Sequence, residues 1–184
     1  HAEKAVACGR AMQLAMRGVN ERLSARGVAE LEMGIGIHTG RVIVGNIGSL
    51  RRTKYAAVGS NVNLAGRIES FTTGGQLLIS ENTREKIKTP LRTLGQFQVQ
   101  PKGATHSLQL YEVGGIGEPF NLSLPVRSEA LSRLSPPTPI RFTVLEEKFL
   151  GRTVYEGRLA ALSESEADIE SELSAIYRIL EDGA

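Results

Sequence analysis

The sequence is short of cysteine and of long apolar runs. Its single Cys8 cannot form a disulfide within the chain, which suits a reducing compartment. The neighbours Ala5, Met12 and Ala15 predict a buried helix position for this thiol. No run of about 18 apolar residues occurs, and the N-terminus lacks the apolar core of a signal peptide. We therefore expect a cytoplasmic location and no membrane-spanning segment in this chain.

Two common nucleotide-binding signatures are also missing. No GxxxxGK[ST] or GxGxxG string is present, so the 20 glycines are better explained by tight turns than by a phosphate-binding loop. The five Phe and four Tyr do not form the aromatic strand on which RNA-binding domains stack bases. We therefore expect no nucleic-acid partner.

Charge is unevenly distributed along the 184 residues. Residues 1–113 hold 15 Lys and Arg against 8 Glu, a net of +7, whereas residues 114–184 hold 7 against 12 acids, a net of −5. A basic surface is often merely solvated, but this excess also suits a polyphosphate ligand. We therefore expect an anionic ligand to bind to residues 1–113 rather than to residues 114–184.

Periodicity in the first 75 residues predicts a helix, a hairpin and a second helix. Apolar residues at helical spacing, with Ala5, Cys8 and Met12 among them, predict an amphipathic helix over residues 2 to about 26. Alternation over residues 31–37, followed by the apolar run 42–47, predicts a β-hairpin. Ser60 is the expected N-cap of the second helix, with Val62, Leu64, Ala65 and Ile68 on its buried side.

Further strands complete an α+β fold. Residues 76–79 predict a short strand, and Ser80 is the expected N-cap of a helix that runs to about residue 88. Residues 91–100 and 107–113 predict a closing hairpin whose turn lies at residues 101–103. This alternation is typical of a ferredoxin-like α/β sandwich. We assign residues 1–113 to this domain.

Residues 114–139 are rich in Gly, Pro and Ser, which predicts an exposed linker. Beyond it, residues 140–144 and 153–162 predict strands around a turn at 146–148. Ile169, Leu173, Ile176, Tyr177 and Leu180 predict a final helix, for partner binding, dimerisation or plain packing. The segment 140–184 is thus a short strand-and-helix tail, and the arginine pair of a cyclic-dinucleotide-binding barrel is missing from it.

The most informative segment is Gly34 to Arg67, which reads GIGIHTGRVIVGNIGSLRRTKYAAVGSNVNLAGR. Asn63 and Arg67 lie four residues apart, so a helix would project both from one face toward a single ligand. IGIHTG, VGNIG, VGSNVNLAGRIES and GGQLLIS follow one another in the order used by class III nucleotidyl cyclases, the adenylate and guanylate cyclases. The segment resembles the second half of their catalytic domain.

The resemblance implies a reaction and two catalytic residues. Such enzymes convert ATP or GTP to the 3′,5′-cyclic nucleotide and pyrophosphate by in-line attack of the ribose 3′-hydroxyl. Arg67 would contact the α-phosphoryl oxygens in the transition state, and Asn63 would orient the ribose. The alternative is a surface Arg67 paired with Glu69 or Glu112.

The resemblance also implies residues that bind the triphosphate. Lys102, in the turn between two strands, matches a lysine placed against the β- and γ-phosphates, with a solvated turn lysine as the alternative. Arg51 and Arg52 match a position from which an arginine reaches the triphosphate across a dimer. A merely solvated basic loop is the alternative there.

The purine site departs from the family pattern. The residue after Tyr55 is usually Asp or Thr in adenylate cyclases, and Ala56 offers no side-chain hydrogen bond. Recognition of the purine would then depend on the backbone, on Ser60 or on a lysine-bearing strand that does not occur in this sequence. ATP is the default substrate. We expect no catalytic or metal role for His1, His38 or His106.

Aspartate is the absence with the largest consequence. Family members hold two magnesium ions on paired aspartates that precede the matched motifs, yet residues 1–113 contain none. We therefore expect a catalytic domain lacking its leading part, with Mg²⁺ or Mn²⁺ ligands upstream or in a partner subunit. A homodimer or a longer cyclase would complete the site, and residues 1–184 alone would be inactive. A silent cyclase-homology module, for nucleotide binding or dimerisation, is the alternative.

Overall fold

The structure is a computed structural model that describes residues 1–49, 51–99, 107–125, 131–146, 149–162 and 167–171. It divides into two units, His1–Leu124 and Pro125–Ala184. The described helices are α1 (Ala2–Ser24), α2 (Ser60–Ser70) and α3 (Glu81–Arg84). None of the helices in these ranges is both long and apolar enough to cross a bilayer.

The strands of the first unit are β1 (Ile35–Ile37), β2 (Ile43–Ser49), β3 (Arg52–Val58), β4 (Leu77–Ser80), β5 (Leu91–Val99), β6 (Leu108–Ile116) and β7 (Leu122–Ser123). Its main sheet has the order β1-β4-β6-β5, with β7 beside β6. β1 pairs parallel with β4, and the other pairs are antiparallel. The predicted α+β class is confirmed.

Two hydrophobic clusters lie on opposite faces of the main sheet. Alternate residues of a strand point to opposite faces, so Leu77 and Ile79 of β4 pack with Val6 of α1, whereas Leu78 packs with Ile68 of α2. All five side chains are fully buried. The sheet therefore fixes α1 on one side and α2 on the other.

The predicted pairing of residues 31–37 with 42–47 is wrong. β1 is a short strand that pairs only with β4 in the described part of the chain, and β2 forms its hairpin with β3 instead. The alternation over residues 31–37 predicted a longer strand than the three residues found, and periodicity carries no information about which strand is the partner. The observed hairpin joins directly to α2.

Helix α1 buries a different face from the one its apolar residues predict. Cys8 and Met12 are exposed, while Gly9, Arg10 and Gln13 are buried. A β-carbon at Gly9 would lie 2.7 Å from Leu77 Cδ1, so glycine allows the helix to approach the sheet closely. Gln13 Nε2 donates to the carbonyls of Met33 and Gln76, at 3.2 and 2.7 Å. The buried face of α1 is therefore determined by hydrogen bonds to backbone carbonyls rather than by the pattern of its apolar residues.

The second part of the unit matches prediction more closely. β4 and the β5–β6 hairpin form as expected, and Ser80 caps α3 by accepting a hydrogen bond from Thr83 N at 3.4 Å. The helix ends at Arg84, earlier than predicted. The predicted linker 114–139 also differs from the structure, since β6 extends to Ile116 and β7 pairs with it.

The second unit is a sheet of long antiparallel strands. β8 (Ser132–Glu146), β9 (Phe149–Leu162) and β10 (Ala167–Glu170) lie in the order β10-β9-β8. Phe142 and Tyr155 pack with ring centroids 5.8 Å apart. The two predicted strands are confirmed and run further, whereas Ile169 lies in a strand rather than in the predicted helix. The remainder of that helix, residues 172–184, lies outside the described residues.

Arg10 is the largest fully buried side chain of the first unit. Its Nη2 donates to the carbonyl of Val113, but Nε and Nη1 have no hydrogen-bond partner among the described residues. Loss of hydration lowers the pKa of the guanidinium to about 10, against the opposing attraction of Glu112. The folded state thus binds this proton less tightly than the unfolded chain does.

We expect Arg10→Met to raise the free energy of unfolding by about 1–3 kcal/mol at neutral pH, because it removes a buried charge whose hydrogen bonds are incomplete. The gain should shrink above pH 10, where folded Arg10 loses its proton before unfolded Arg10 does and wild-type stability rises. Urea unfolding at pH 7 and pH 11 measures both. The exposed Arg17→Met is the matched control, and a variant less stable than wild type would contradict the prediction.

Candidate active site

Helix α2 carries the two residues predicted to be catalytic. Leu64 and Ile68 face the cluster with Leu78 and Leu110, and the opposite side of the helix is exposed. Asn63 and Arg67 are both exposed and lie four residues apart, so they share a face. The expected buried position of Val62 is wrong, since it is 37% exposed.

Arg67 is available to a ligand. No ion pair of Arg67 is found among the described residues, and Glu112 instead accepts a hydrogen bond from Gln76 Nε2 at 3.1 Å. The Arg67 carbonyl accepts from Ser70 Oγ at 2.7 Å, which leaves the Arg67 side chain unused. The guanidinium therefore retains its capacity to bind an anion.

The backbone of α2 lies directly against β1. A β-carbon at Gly36 would collide with the backbone of Glu69, and it would stand 2.9 Å from the carbonyl carbon of Ile68. Contacts under 3.0 Å are not found for real β-carbons, so only glycine permits this approach. The depth of α2 on the sheet is thus set by the absence of a side chain at Gly36.

The start of α2 depends on Gly59 rather than on Ser60. Gly59 is the N-cap with φ 143°, a conformation open to glycine, and the expected Ser60 cap is wrong because no side-chain cap is made. Gly59 O accepts from Val62 N and Asn63 N at 3.1 and 3.4 Å. Ser60 is exposed at the first position of the helix, near the predicted catalytic face.

Strand β3 connects the predicted purine position to α2. Ala56 is half-buried and stands opposite Gly45 of β2, so neither residue contributes a polar side chain there. Three residues later the chain enters α2 through Gly59. Ala56, Ser60, Asn63 and Arg67 therefore follow one another along a single continuous strand-helix unit.

The other predicted anion ligands are not brought to this face. Arg51 and Arg52 lie at the hairpin tip, where Arg52 is the first residue of β3, and this strand spans about 20 Å before the chain enters α2. Lys102 lies outside the described residues. Ser60, Asn63 and Arg67 share one face of α2 by their helical spacing, Ala56 precedes the helix along β3, and Arg51 lies at the far end of that strand.

Sequence reasoning missed a polar network behind α2. His38, which follows β1, contacts Ser80 Oγ through Nδ1 at 2.7 Å and Asn61 Oδ1 through Nε2 at 3.1 Å. The sequence predicted only that His38 has no catalytic or metal role. The available signal was a histidine directly after a half-buried strand, together with an asparagine in the first turn of α2.

No metal centre can be assembled from the described residues. They contain no group of three His, Cys, Asp or Glu side chains placed to hold a cation. Glu81 accepts from the Tyr111 hydroxyl and thereby raises the pKa of Tyr111, and Glu3 accepts from Lys88 N and Thr89 N. This donor set does not fit the two magnesium ions expected for the family.

Solved structures resemble this chain in fold and sequence. The crystal structure of the guanylyl cyclase Cya2 is 54% identical with a TM-score of 0.64, and the match covers 67% of this chain and 62% of that one. The adenylyl cyclase CyaB from P. aeruginosa is 34% identical with a TM-score of 0.56, covering 64% and 60%.

Sequence comparison gives the same result. Adenylate cyclase 1 of Rhizobium meliloti is 32% identical over 66% of this chain, and the adenylate cyclase of Anabaena cylindrica 33% over 55%. The chain spans only 18% and 22% of the lengths of these relatives. The sequence model named adenylate and guanylate cyclase catalytic domain matches residues 1–113. The chain therefore belongs to the adenylate and guanylate cyclase catalytic domain family.

Proposed function

We propose that this chain supplies the Asn/Arg part of a dimer-shared cyclase site. The site converts ATP or GTP to the 3′,5′-cyclic nucleotide and pyrophosphate. The observation that carries the proposal is the exposed face of α2, where Asn63 and Arg67 stand together and Arg67 has no carboxylate partner among the described residues. A free guanidinium beside an amide suits a ribose and its α-phosphate.

The two residues have separate tasks in the reaction. The ribose 3′-oxygen forms a bond to the α-phosphorus and loses its proton to solvent, while the bond between the α-phosphorus and the pyrophosphate oxygen breaks and pyrophosphate leaves. Arg67 binds the α-phosphoryl oxygens as charge develops on them, and Asn63 holds the ribose in line. A preorganised donor of this kind contributes on the order of 10²–10³ in rate.

Other residues of the chain bind the rest of the substrate. We assign the purine to the region of Ala56 and Ser60, and the terminal phosphates to Lys102. Because Ala56 and its partner Gly45 lack polar side chains, the hydrogen bonds to the purine fall to backbone and to Ser60. The 54% identity with a guanylyl cyclase, against 34% with an adenylyl cyclase, favours GTP.

The β2–β3 hairpin supports pairing with a second cyclase domain. Ile43, Ile47 and Val58 share one face of the hairpin and are 72%, 39% and 41% exposed, which leaves an apolar face uncovered in the described part of the unit. Tyr55, 76% exposed, lies on the opposite face. A second copy or a longer cyclase would bury the apolar face. Arg51, about 20 Å along β3 from α2, would then reach the triphosphate in the partner's site.

We place the Mg²⁺ or Mn²⁺ ligands outside residues 1–113, either elsewhere in the protein or in the partner. Residues 1–113 contain no aspartate, and the described carboxylates do not cluster. The same observation favours the alternative function, a silent module that binds nucleotide or dimerises without turnover. Complementation separates the two.

Residues 1–184 alone should produce neither cyclic AMP nor cyclic GMP with Mg²⁺ or Mn²⁺, because residues 1–113 contain no aspartate and the described carboxylates do not cluster into a metal site. Mixed with a cyclase domain that keeps its paired aspartates but has its own Asn and Arg counterparts replaced by Ala, the chain should restore activity, with GTP preferred. Product formation is followed by chromatography.

The control for complementation is a pair of arginine variants. Arg67→Ala should reduce the rescued activity about 100-fold, whereas Arg17→Ala, on the exposed side of α1, should leave it unchanged. Steady turnover by residues 1–184 alone would contradict the shared site. Failure to rescue despite demonstrated heterodimers would instead favour the silent module.

In the complemented enzyme, Arg67→Ala should lower kcat on the order of 10²-fold with KM nearly unchanged, because its contact strengthens only as the α-phosphorus becomes pentavalent. Lys102→Ala should instead raise KM at least as much as it lowers kcat, since the terminal phosphates are already charged in the ground state. Initial rates over a range of nucleotide concentrations measure both. An effect of Arg67→Ala confined to KM would contradict these roles.

A further inference from the structure

The imidazole of His38 joins the sheet to the first turn of α2. Its Nδ1 meets the hydroxyl of Ser80, the last residue of β4, at 2.7 Å. Its Nε2 meets Oδ1 of Asn61, the second residue of α2, at 3.1 Å. Both ring nitrogens are therefore occupied by protein, and neither is free to contact a substrate.

The direction of these hydrogen bonds is determined by Asn61. Its Nδ2 donates to the carbonyl of Arg41 at 2.8 Å, so Oδ1 faces His38 and can only accept. His38 Nε2 must then carry the hydrogen. In the neutral ring Nδ1 accepts from the Ser80 hydroxyl, whose oxygen accepts in turn from Thr83 N at 3.4 Å. The network specifies one tautomer.

The loop around Asn61 is shaped to hold its amide. A β-carbon at Gly40 would collide with the Asn61 side chain, 2.5 Å from Nδ2 and 2.6 Å from Oδ1. Glycine at this position lets the loop close over the amide. Asn61 is thus held by His38, by the Arg41 carbonyl and by the backbone of Gly40.

This anchor replaces the missing helix cap. Gly59 provides no side chain to hold the start of α2, and Ser60 makes no cap. Asn61 comes two residues before Asn63 and six before Arg67 on an 11-residue helix, so its position fixes theirs. At the other end, the backbone at Ile68 and Glu69 is fixed against Gly36.

We propose that His38, acting through Asn61, is a positioning residue that sets how α2 presents Asn63 and Arg67 to the substrate. The proposal rests on the cyclase function proposed above. A displacement of about 1 Å in such a site costs on the order of 10²-fold in rate, so a small rotation of α2 would be measurable.

Two substitutions separate this role from a general effect on folding. In His38→Gln, the amide nitrogen can stand where Nε2 stood and still donate to Asn61. In His38→Asn, the shorter side chain can reach Ser80 but not Asn61. We expect His38→Asn to lower kcat of the complemented enzyme about 10- to 100-fold with KM within about twofold, and His38→Gln to stay within about threefold of wild type.

Asn61→Ala also loses the hydrogen bond to the Arg41 carbonyl, so it should lower kcat at least as much as His38→Asn. The double variant should be no worse than Asn61→Ala, because the link between His38 and Asn61 is already absent from that variant. Additive losses in the double variant would overturn the proposal. Equal losses of activity in His38→Gln and His38→Asn would also overturn it. The same holds if the wild-type chain complements and every variant matches its activity.

A second readout needs no activity. In residues 1–184, hydrogen exchange at the amides of Val62 and Asn63 should accelerate in His38→Asn and Asn61→Ala but not in His38→Gln, while exchange in β4 and β6 stays constant. The ¹⁵N shifts of the His38 ring should report the Nε2–H tautomer. If hydrogen exchange at Val62 and Asn63 does not change in these variants, the proposed role of His38 is overturned. If exchange changes as expected but the wild-type chain does not complement, the proposed cyclase function is overturned instead.

Discussion

The close approach of α2 to β1 at Gly36 is the contact on which the site depends. With no side chain between them, the helix backbone rests on the strand, and Ile68 reaches the cluster with Leu78 and Leu110. Burial of that face leaves the opposite one exposed, and Asn63 and Arg67 occupy it. The core thus orients the predicted catalytic residues without contacting them.

The β2–β3 hairpin extends this arrangement along the chain. Its seven-residue register from Ile43 opposite Val58 to Ser49 opposite Arg52 is regular, so the hairpin is a continuous arm that ends at Gly59. One end leads from Ala56 into α2, and the other carries Arg51 and Arg52 away from it. Within one chain Arg67 and the arginines of the hairpin tip therefore lie at opposite ends of β3, which is compatible with the proposed site shared between two copies.

Local features of the fold and one hairpin were predictable from the sequence, whereas the partners of β1 and β2 were not. The strand predicted over residues 76–79, found at Leu77–Ser80, and the β5–β6 hairpin followed from alternation and turn residues, and the shared face of Asn63 and Arg67 from helical spacing. The buried face of α1 was missed because Arg10 and Gln13 are buried through hydrogen bonds to distant carbonyls, which an apolar pattern does not reveal. Ile169 was misassigned because a short apolar alternation fits both helix and strand.

The position of His38 shows why this site needs polar as well as apolar contacts. Hydrophobic packing at Ile68 holds the second half of α2 but exerts no directional force on the first turn, since the hydrophobic effect is non-directional. Hydrogen bonds are directional, and the one between His38 and Asn61 acts two residues before Asn63. The apolar contact at Ile68 fixes the depth of α2 on the sheet, and the hydrogen bond from His38 to Asn61 fixes where the helix starts. Both are needed to define the direction of the Arg67 guanidinium on the exposed side of the helix.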